Sequence, residues 1–280
     1  MHFGITNNRP PLRVGLAGLG SIGIRVAQLL DNGGQPNVPG IVLHAVAASD
    51  QDKARARLAS LSAKPRVGDL DCLGDCDVVV EMLPSRCFAD IAVPTIERGG
   101  ILIVASVGAL LNRLDLIARA GVTGAKIIVP SGAVPGLDAL KAASEGSVNS
   151  VVIETRKSPA SLAGAPYLVE NDIDISTFQK AATIFVGSAR QAAMAFPANT
   201  NVAAALSLAG IGPERTEVRV IADPDVDRNI HKISVNSDSA RFECTIEIVP
   251  NKENPRSGEL TPRSIVACLR DLTQPIRIGT

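Results

Sequence analysis

The sequence predicts an α/β protein in which a parallel-sheet domain is followed by an α+β domain with a mostly antiparallel sheet. In the first half of the 280 residues, short apolar runs alternate with segments of helical periodicity. This pattern is typical of a parallel sheet covered on both faces. After Gly132 several segments alternate apolar and polar residues with a period of two, which is typical of an antiparallel sheet with one solvated face.

The first domain, residues 1–132, contains five apolar runs that we expect to form strands. They are 12–17, 41–48, 78–81, 101–105 and 126–129. Helices are expected between them, beginning near Ile22, over 51–58 and over 110–120, with Gly121 ending the last one. The segment 31–40, which is rich in Gly, Asn and Pro, predicts an extended loop.

The second domain, residues 133–258, is expected to contain five strands and one helix. The strands are 151–156, 182–186, 218–222, 230–235 and 242–249, and the helix is 202–208. In the last strand Phe242, Cys244, Ile246 and Ile248 alternate with mostly polar residues. The C-terminal segment 259–280 holds one more predicted helix, which belongs either to this domain or, packed back, to the first.

Composition excludes several classes of protein. Lys plus Arg and Asp plus Glu both total 28, so the formal charge is zero and no nucleic-acid partner is expected. No apolar stretch approaches the roughly 18 residues needed to span a membrane, and no membrane association is expected. The N-terminal dozen residues lack the apolar run of a signal peptide. The five cysteines are therefore expected to be free thiols, and the protein to be cytoplasmic.

A glycine-rich turn follows the first predicted strand. Its pattern G-x-G-x-x-G is formed by Gly18, Leu19, Gly20, Ser21, Ile22 and Gly23. The first glycine permits a tight turn, the second lets the backbone approach a diphosphate, and the third lets the helix pack closely on the strand. This order of strand, turn and helix predicts a dinucleotide-binding domain of the Rossmann type. A tight turn without a ligand, or the similar turn of S-adenosylmethionine enzymes, is the alternative.

An acidic residue is expected near the end of the second strand, where it would accept the adenosine ribose hydroxyls. Asp50 follows Gly23 by 27 residues, and the insertion at 31–40 accounts for a gap longer than the usual one of about 20. A carboxylate there favours NAD, because it repels a 2′-phosphate. Lys53 lies near enough to keep NADP open as the second choice.

Histidines are scarce, which narrows the candidates for proton transfer. His2 lies near the N-terminus and His44 within a predicted strand, where it is expected to be packed in the sheet. His231 lies in a polar approach to a strand of the second domain and is the best-placed general acid or base. Cys72 and Cys76 have no matching ligand pair, so no metal is expected.

Two further segments are unusual for their positions. Residues 131–138 follow the last strand of the first domain, at the edge where open α/β sheets bind ligands. Residues 196–201 precede a predicted helix, and their amides and carboxamides suit a cofactor amide or a substrate carboxylate. Ordinary turn and capping chemistry explains either segment equally well.

Taken together, these segments resemble the L-aspartate dehydrogenase family of NAD(P)-dependent enzymes. The resemblance is carried by residues 15–23, 106–110, 131–140, 187–190, 196–204 and 229–231. It implies a nucleotide-binding domain followed by an α+β domain that carries substrate residues and the contacts of a homodimer. It also implies that Ala133 and Asn201 contact the cofactor and that His231 is the active-site histidine.

The resemblance further implies that L-aspartate is oxidised to iminoaspartate, which hydrolyses to oxaloacetate and ammonia or feeds quinolinate synthesis for NAD production. The two substrate carboxylates need cationic or amide partners. The candidates are Asn199, Lys157 and Lys232, with Arg156. Two other functions stay open: a related dehydrogenase or reductase of another small amino or oxo acid, and a non-catalytic sensor that binds NAD(H).

Overall fold

The structure is a computed structural model that describes residues 10–32, 35–36, 38–197, 200–249 and 258–279. The described chain divides into two compact units. The first comprises the residues up to Gly132 together with Thr261–Ile278, and the second comprises Ala133–Leu260. No helix among the described residues is long and apolar enough to cross a membrane.

The first unit is built on a six-stranded sheet in which every paired strand is parallel to its neighbour, in the order β5-β4-β1-β6-β7-β8. Its elements in chain order are β1 (Leu12–Ala17), α1 (Ser21–Leu30), β2 (Asp31–Asn32), β3 (Gln35–Pro36), β4 (Ile41–Ala47), α2 (Gln51–Leu58), β5 (Arg66–Gly68), β6 (Val78–Glu81), α3 (Phe88–Glu97), β7 (Ile101–Val104), α4 (Val107–Leu111), α5 (Asp115–Thr123) and β8 (Lys126–Ile128). Strand β6 is buried along its whole length, as expected of a central strand covered by helices on both faces.

The second unit is built on a five-stranded mixed sheet in the order β10-β11-β9-β12-β13. Only β11 and β9 are parallel among these neighbours, so the sheet is mostly antiparallel. The elements are α6 (Leu137–Ala143), β9 (Val148–Lys157), α7 (Pro159–Leu162), α8 (Pro166–Glu170), β10 (Ala182–Ser188), α9 (Ala189–Ala195), α10 (Asn201–Ala209), β11 (Thr216–Ala222), β12 (Asn229–Ser237) and β13 (Arg241–Ile248). The helix that follows, α11 (Leu260–Asp271), belongs to the first unit from Thr261 onward. The predicted fold class is confirmed.

The last helix, α11, contributes to the core of the first unit. Its buried residues Ile265, Val266 and Leu269 pack in one hydrophobic cluster with residues of β1, β4 and α1. The hydroxyl of Ser264 also accepts a hydrogen bond of 3.1 Å from the amide of Gly132.

Several element predictions were wrong in detail. The single helix expected over 110–120 is two helices, α4 and α5, separated by a turn. Gly121 lies inside α5, and the helix instead ends at Gly124, whose φ of +77° is the left-handed conformation that glycine adopts without strain. The loop expected over 31–40 contains the short antiparallel pair β2–β3. Strand β5 and helix α3, which contains Pro94, were not predicted.

The two faces of the second sheet differ in burial. In β12 the side chains of His231, Ile233 and Val235 are buried, while Lys232 and Ser234 between them are partly exposed. The same alternation runs along β9 and, more weakly, along β13, where the predicted alternation from Phe242 to Ile248 is present. The sheet therefore has one face toward the core of the unit and one charged, solvated face.

Candidate functional site

A cavity of about 710 Å³ lies at the carboxyl edge of the first sheet. It is lined by the glycine turn after β1, by the segment from the end of β4 into α2, and by the loop after β6. Carboxyl edges of this kind are where open α/β sheets bind ligands, and the volume lies in the usual range of about 300–1,000 Å³ for small-molecule sites.

The three motif glycines have different structural roles. Gly18 has a φ of +99°, and a Cβ there would lie 2.9 Å from the carbonyl oxygen of Met82. A Cβ at Gly23 would lie 2.3 Å from the carbonyl oxygen of Gly18. A Cβ at Gly20 would meet no described atom within 4 Å, and Gly20 lines the cavity. Gly18 and Gly23 are therefore required by the turn itself, whereas Gly20 keeps open space for a ligand.

The amino end of α1 offers backbone donors beside Gly20. The helix begins at Ser21 with Gly20 as its N-cap, and within the described chain no side chain caps it. The first-turn amides of Ser21, Ile22 and Gly23 have no intrahelical acceptor, and the helix dipole adds positive potential there. Open space at Gly20 and these donors fit the diphosphate of a dinucleotide.

The acidic residue Asp50 does not directly follow strand β4. Strand β4 ends at Ala47, and Asp50 lies three residues further on as the N-cap of α2. One oxygen of the Asp50 carboxylate accepts a hydrogen bond of 2.9 Å from the amide of Lys53. Arg57 donates a hydrogen bond of 2.8 Å to the carbonyl oxygen of Leu19. Lys53 and Arg57 both line the cavity with Asp50.

The sequence prediction missed a buried carboxylate that binds the amide of Leu83, a residue of the cavity lining. Glu81, the last residue of β6, has no exposed surface and accepts hydrogen bonds from the amides of Leu83 (2.8 Å) and Ser106 (3.0 Å). The pKa of Glu81 is raised, because the effect of burial is larger than the opposing effect of these hydrogen bonds. The hydroxyl of Ser106 also donates to the carbonyl oxygen of Leu83 (2.8 Å). The signal available was an acidic residue ending an otherwise apolar strand.

In the second unit, His231 lies on the buried face of the sheet. Its side chain is directly opposite Thr155 of β9, and its Nδ1 lies 3.0 Å from the Thr155 hydroxyl. Burial, and after it the nearby charge of Lys157, lower the pKa of His231 to about 3. The imidazole is therefore neutral near pH 7, and one ring nitrogen is fixed by Thr155.

Lys157 and Asn229 lie on the same buried face as His231. Lys157 is two residues beyond Thr155 in β9 and is 4% exposed, and Asn229 is two residues before His231 and is 7% exposed. Burial lowers the pKa of Lys157 to about 8, so the ammonium is still the main form at pH 7. A buried cation beside a neutral imidazole and two hydrogen-bonding side chains is a suitable site for a small carboxylate.

The structure does not bring Lys232 or Arg156 to this face. Lys232 points to the solvated face and lies 3.1 Å from Glu243 of β13, because successive side chains of a strand alternate. Arg156 is on that face for the same reason and lies 2.6 Å from Asp223. Lys232 therefore lies on the opposite face of the sheet from His231. Asn199 lies outside the described residues.

Ala133, Asn201 and His44 are three further positions that the sequence singled out. Ala133 is buried near the start of the second unit, and Asn201 is the exposed first residue of α10. His44 is not simply packed in the sheet: it is partly exposed, and its Nε2 lies 3.0 Å from the carboxylate of Asp75. No cluster of three or more potential metal ligands occurs in the described part of the chain.

Two family models match successive parts of the chain. Residues 18–130 match the family described as "Homoserine dehydrogenase, NAD binding domain", and residues 138–272 match "Aspartate dehydrogenase, C-terminal". The L-aspartate dehydrogenase of Bradyrhizobium diazoefficiens is 48% identical over 96% of this chain and 94% of that protein. L-aspartate dehydrogenase 3 of Bordetella bronchiseptica is 43% identical over 98% of this chain and 100% of that protein.

Solved structures show the same architecture. The crystal structure of aspartate dehydrogenase from Thermotoga maritima has a TM-score of 0.68 and 26% identity, with coverage of 96% of this chain and 99% of that chain. A scyllo-inositol dehydrogenase from Lactobacillus casei, solved with NAD(H) and scyllo-inositol, shares the fold at 14% identity and a TM-score of 0.53, over 93% of this chain and 86% of that chain. The match of residues 18–130 to an NAD-binding domain gives the cofactor class of the first unit as a nicotinamide dinucleotide, NAD or NADP.

Proposed function

This chain belongs to the aspartate dehydrogenase family, and from that premise we propose that it catalyses the NAD(P)-dependent oxidative deamination of L-aspartate. The product is iminoaspartate, which hydrolyses to oxaloacetate and ammonia, and the reverse direction is reductive amination of oxaloacetate. The observation that carries the proposal is 48% identity to an L-aspartate dehydrogenase over 96% of the chain. The buried face around His231 supports it independently.

The reaction removes a hydride from Cα of the amino acid and a proton from its nitrogen. The nicotinamide, when bound, accepts the hydride. The protein must hold an anionic substrate in one orientation and receive the proton. Lys157 and His231 are suited to these two tasks because one is cationic and the other neutral near pH 7.

We assign Lys157 to a substrate carboxylate. The folded protein keeps its ammonium buried, and burial lowers its pKa to about 8. A bound carboxylate would offset that cost through a charge-assisted hydrogen bond and would raise the pKa again. Asn229 on the same face can donate from its amide to the same anion.

We assign His231 to proton transfer. For its Nε2 to accept a proton, Nδ1 must carry the hydrogen and donate it to the Thr155 hydroxyl, 3.0 Å away. Thr155 is then a positioning residue that fixes the tautomer and the ring orientation. The carboxylates of a bound dicarboxylate would raise the pKa of His231 from about 3 toward the range useful for a base.

We assign the cofactor diphosphate to the turn Gly18–Gly23, which includes Leu19, Ser21 and Ile22. Support comes from the open space at Gly20 and the uncapped first turn of α1. Ala133 and Asn201 are assigned as further cofactor contacts from the family resemblance alone.

The remaining assignments concern the assembly and the compartment. We propose a homodimer with contacts in the second unit and a cytoplasmic location. The five cysteines are all free thiols, which suits a reducing compartment. Light scattering after size-exclusion chromatography measures the assembly, and a mass of one 29.1 kDa chain would refute the dimer.

The decisive assay follows absorbance of the reduced cofactor. Purified protein is mixed with L-aspartate and NAD⁺ or NADP⁺, and in reverse with oxaloacetate, ammonia and the reduced cofactor. A matched panel of other small amino and oxo acids tests the alternative of a related dehydrogenase. Turnover of L-aspartate above the rest of the panel supports the proposal. Binding of NAD(P)H without turnover of any substrate would support the sensor function instead.

A further inference from the structure

We propose that the cavity of the first unit contains a 2′-phosphate subsite formed by Ser49, Lys53 and Arg57, and that the protein therefore prefers NADP(H) to NAD(H). The inference deepens the proposed function and rests on it only for the presence of a dinucleotide in this cavity. It reverses the expectation that Asp50 selects NAD.

The position that distinguishes the two cofactors is the end of the second long strand. In dinucleotide-binding domains an acidic side chain there accepts the ribose hydroxyls of NAD, or an arginine nearby accommodates the 2′-phosphate of NADP. Here that strand, β4, ends at Ala47 and is followed by Ala48. Neither side chain can accept a hydrogen bond.

Asp50 has a different role from the expected one. Its Oδ1 accepts the amide of Lys53 at 2.9 Å and so caps the amino end of α2. This bond explains an aspartate at this position through helix capping, without a ribose. The gap of 27 residues after Gly23, longer than usual, agrees with an acid that lies beyond the strand end.

Arg57 supplies the most specific donor. It reaches from the last turn of α2 to the glycine turn, where its Nη1 donates to the carbonyl oxygen of Leu19 at 2.8 Å. A guanidinium carries five N–H donors, so it can hold a carbonyl and a phosphate oxygen at the same time. The bond to Leu19 also fixes the side chain beforehand, which reduces the entropy lost on binding.

Lys53 and Ser49 complete the subsite. Both line the cavity, and Lys53 precedes Arg57 by one helical turn, so the two cations lie on the same side of α2. Two carboxylates of the cavity, Asp50 and Asp69, balance these cations; Asp69 follows β5 beside the end of β4, where the amide of Ala48 donates to the carbonyl oxygen of Gly68. The other charged residues of the cavity, Arg86 and Asp90, lie after β6.

The test measures binding without any turnover. Dissociation constants for NADPH and NADH are obtained from nucleotide fluorescence, and adenosine 2′,5′-bisphosphate is compared with 5′-AMP as a competitor. We expect the wild-type protein to bind NADPH at least about 10-fold more tightly than NADH, and adenosine 2′,5′-bisphosphate at least about 10-fold more tightly than 5′-AMP. One charge-assisted hydrogen bond would give a difference of this size.

The variants separate a phosphate contact from structural support of the turn. Arg57→Ala should weaken NADPH by about 10- to 100-fold and NADH by less than about 3-fold. Lys53→Ala should also weaken NADPH binding more than NADH binding, but by a smaller factor than Arg57→Ala. Arg55→Ala is the matched control, since Arg55 is exposed on the same helix, pairs with Asp52 and does not line the cavity; neither affinity should change. Asp50→Ala should leave the NADH affinity within about 3-fold.

Three results would overturn the subsite. The first is that the wild-type protein binds NADH as tightly as NADPH or more tightly. The second is that Arg57→Ala weakens the binding of both cofactors equally, and the third is that Asp50→Ala loses NADH binding. Equal loss in Arg57→Ala would mean that the arginine only supports Leu19. Because each readout is binding, a protein that prefers NADPH but does not oxidise L-aspartate would refute the proposed substrate and leave the subsite standing.

Discussion

Replacing Lys157 by methionine should make the protein more stable and less able to bind its substrate. Burial lowers the pKa of this lysine from 10.5 to about 8, so the folded protein carries the charged form at a cost of about 3 kcal/mol relative to the unfolded chain. Methionine has a similar length and no charge. Allowing for lost contacts of the ammonium, we expect Lys157→Met to raise the free energy of unfolding at pH 7 by about 1–3 kcal/mol.

The pH dependence gives a second measure of the same charge. Between pH 8 and 10.5 the unfolded chain still binds the proton that folded Lys157 has released, so wild-type stability rises with pH across this window. The methionine variant should lack that rise. Binding of a dicarboxylate such as malonate requires the ammonium, so wild-type affinity should fall by about 10-fold per pH unit above pH 8.

The assay combines urea unfolding at pH 7 and at pH 10 with calorimetric titration of malonate. Lys232→Met is the matched control, because Lys232 pairs with Glu243 on the opposite face of the same sheet. It should change stability by less than about 1 kcal/mol and leave malonate binding intact. The reasoning is refuted if Lys157→Met lowers stability and still binds malonate as tightly as the wild-type protein.

Four other residues give direct predictions. His231→Ala should lower turnover of L-aspartate by about 100-fold or more with little change in NADPH affinity, measured by steady-state kinetics and fluorescence titration; near-normal turnover would remove His231 from the mechanism. Thr155→Val should lower turnover by about 10-fold at unchanged cofactor affinity, because the imidazole loses its orienting partner, and an unchanged rate would refute that role. Gly20→Ala should keep wild-type thermal stability but weaken NADPH binding by at least about 10-fold, whereas Gly23→Ala should destabilise the protein, since its Cβ would lie 2.3 Å from a carbonyl oxygen. Wild-type stability should also fall as the pH drops from about 6.5 toward 3, where the unfolded chain protonates His231 and the folded chain does not; His231→Ala should flatten this slope in acid titrations.

Local signals were sufficient for most of the fold. The strand 12–17 was predicted at its observed bounds, and so were 78–81 and the helix 51–58, because apolar runs and turn residues act over a few neighbours. The errors at Gly121 and at α3 have the same origin. A glycine can end a helix or lie within it, and tertiary packing tolerates Pro94 inside α3.

Site residues were predictable where the chemistry is local and not where it depends on which face a side chain occupies. The glycine turn is a contiguous motif, so its strand and helix context could be predicted from the sequence. Lys157 and Lys232 looked alike in the sequence. The pairing of β9 with β12 buries Lys157 beside His231 and turns Lys232 toward Glu243. A period of two gives two faces but does not say which one is buried next to a distant histidine.

The amino-acid order by itself determined the α/β class and the dinucleotide turn, because each depends on residue type and short spacing. Only the tertiary structure decided that Asp50 caps a helix, that Arg57 reaches the carbonyl of Leu19, and that Thr155 and Lys157 share the buried face of His231. These contacts join residues that are remote in sequence or depend on helix geometry. They form only when the strands have paired and the helices have packed. Burial in that structure then sets the protonation state of groups such as Lys157 and His231.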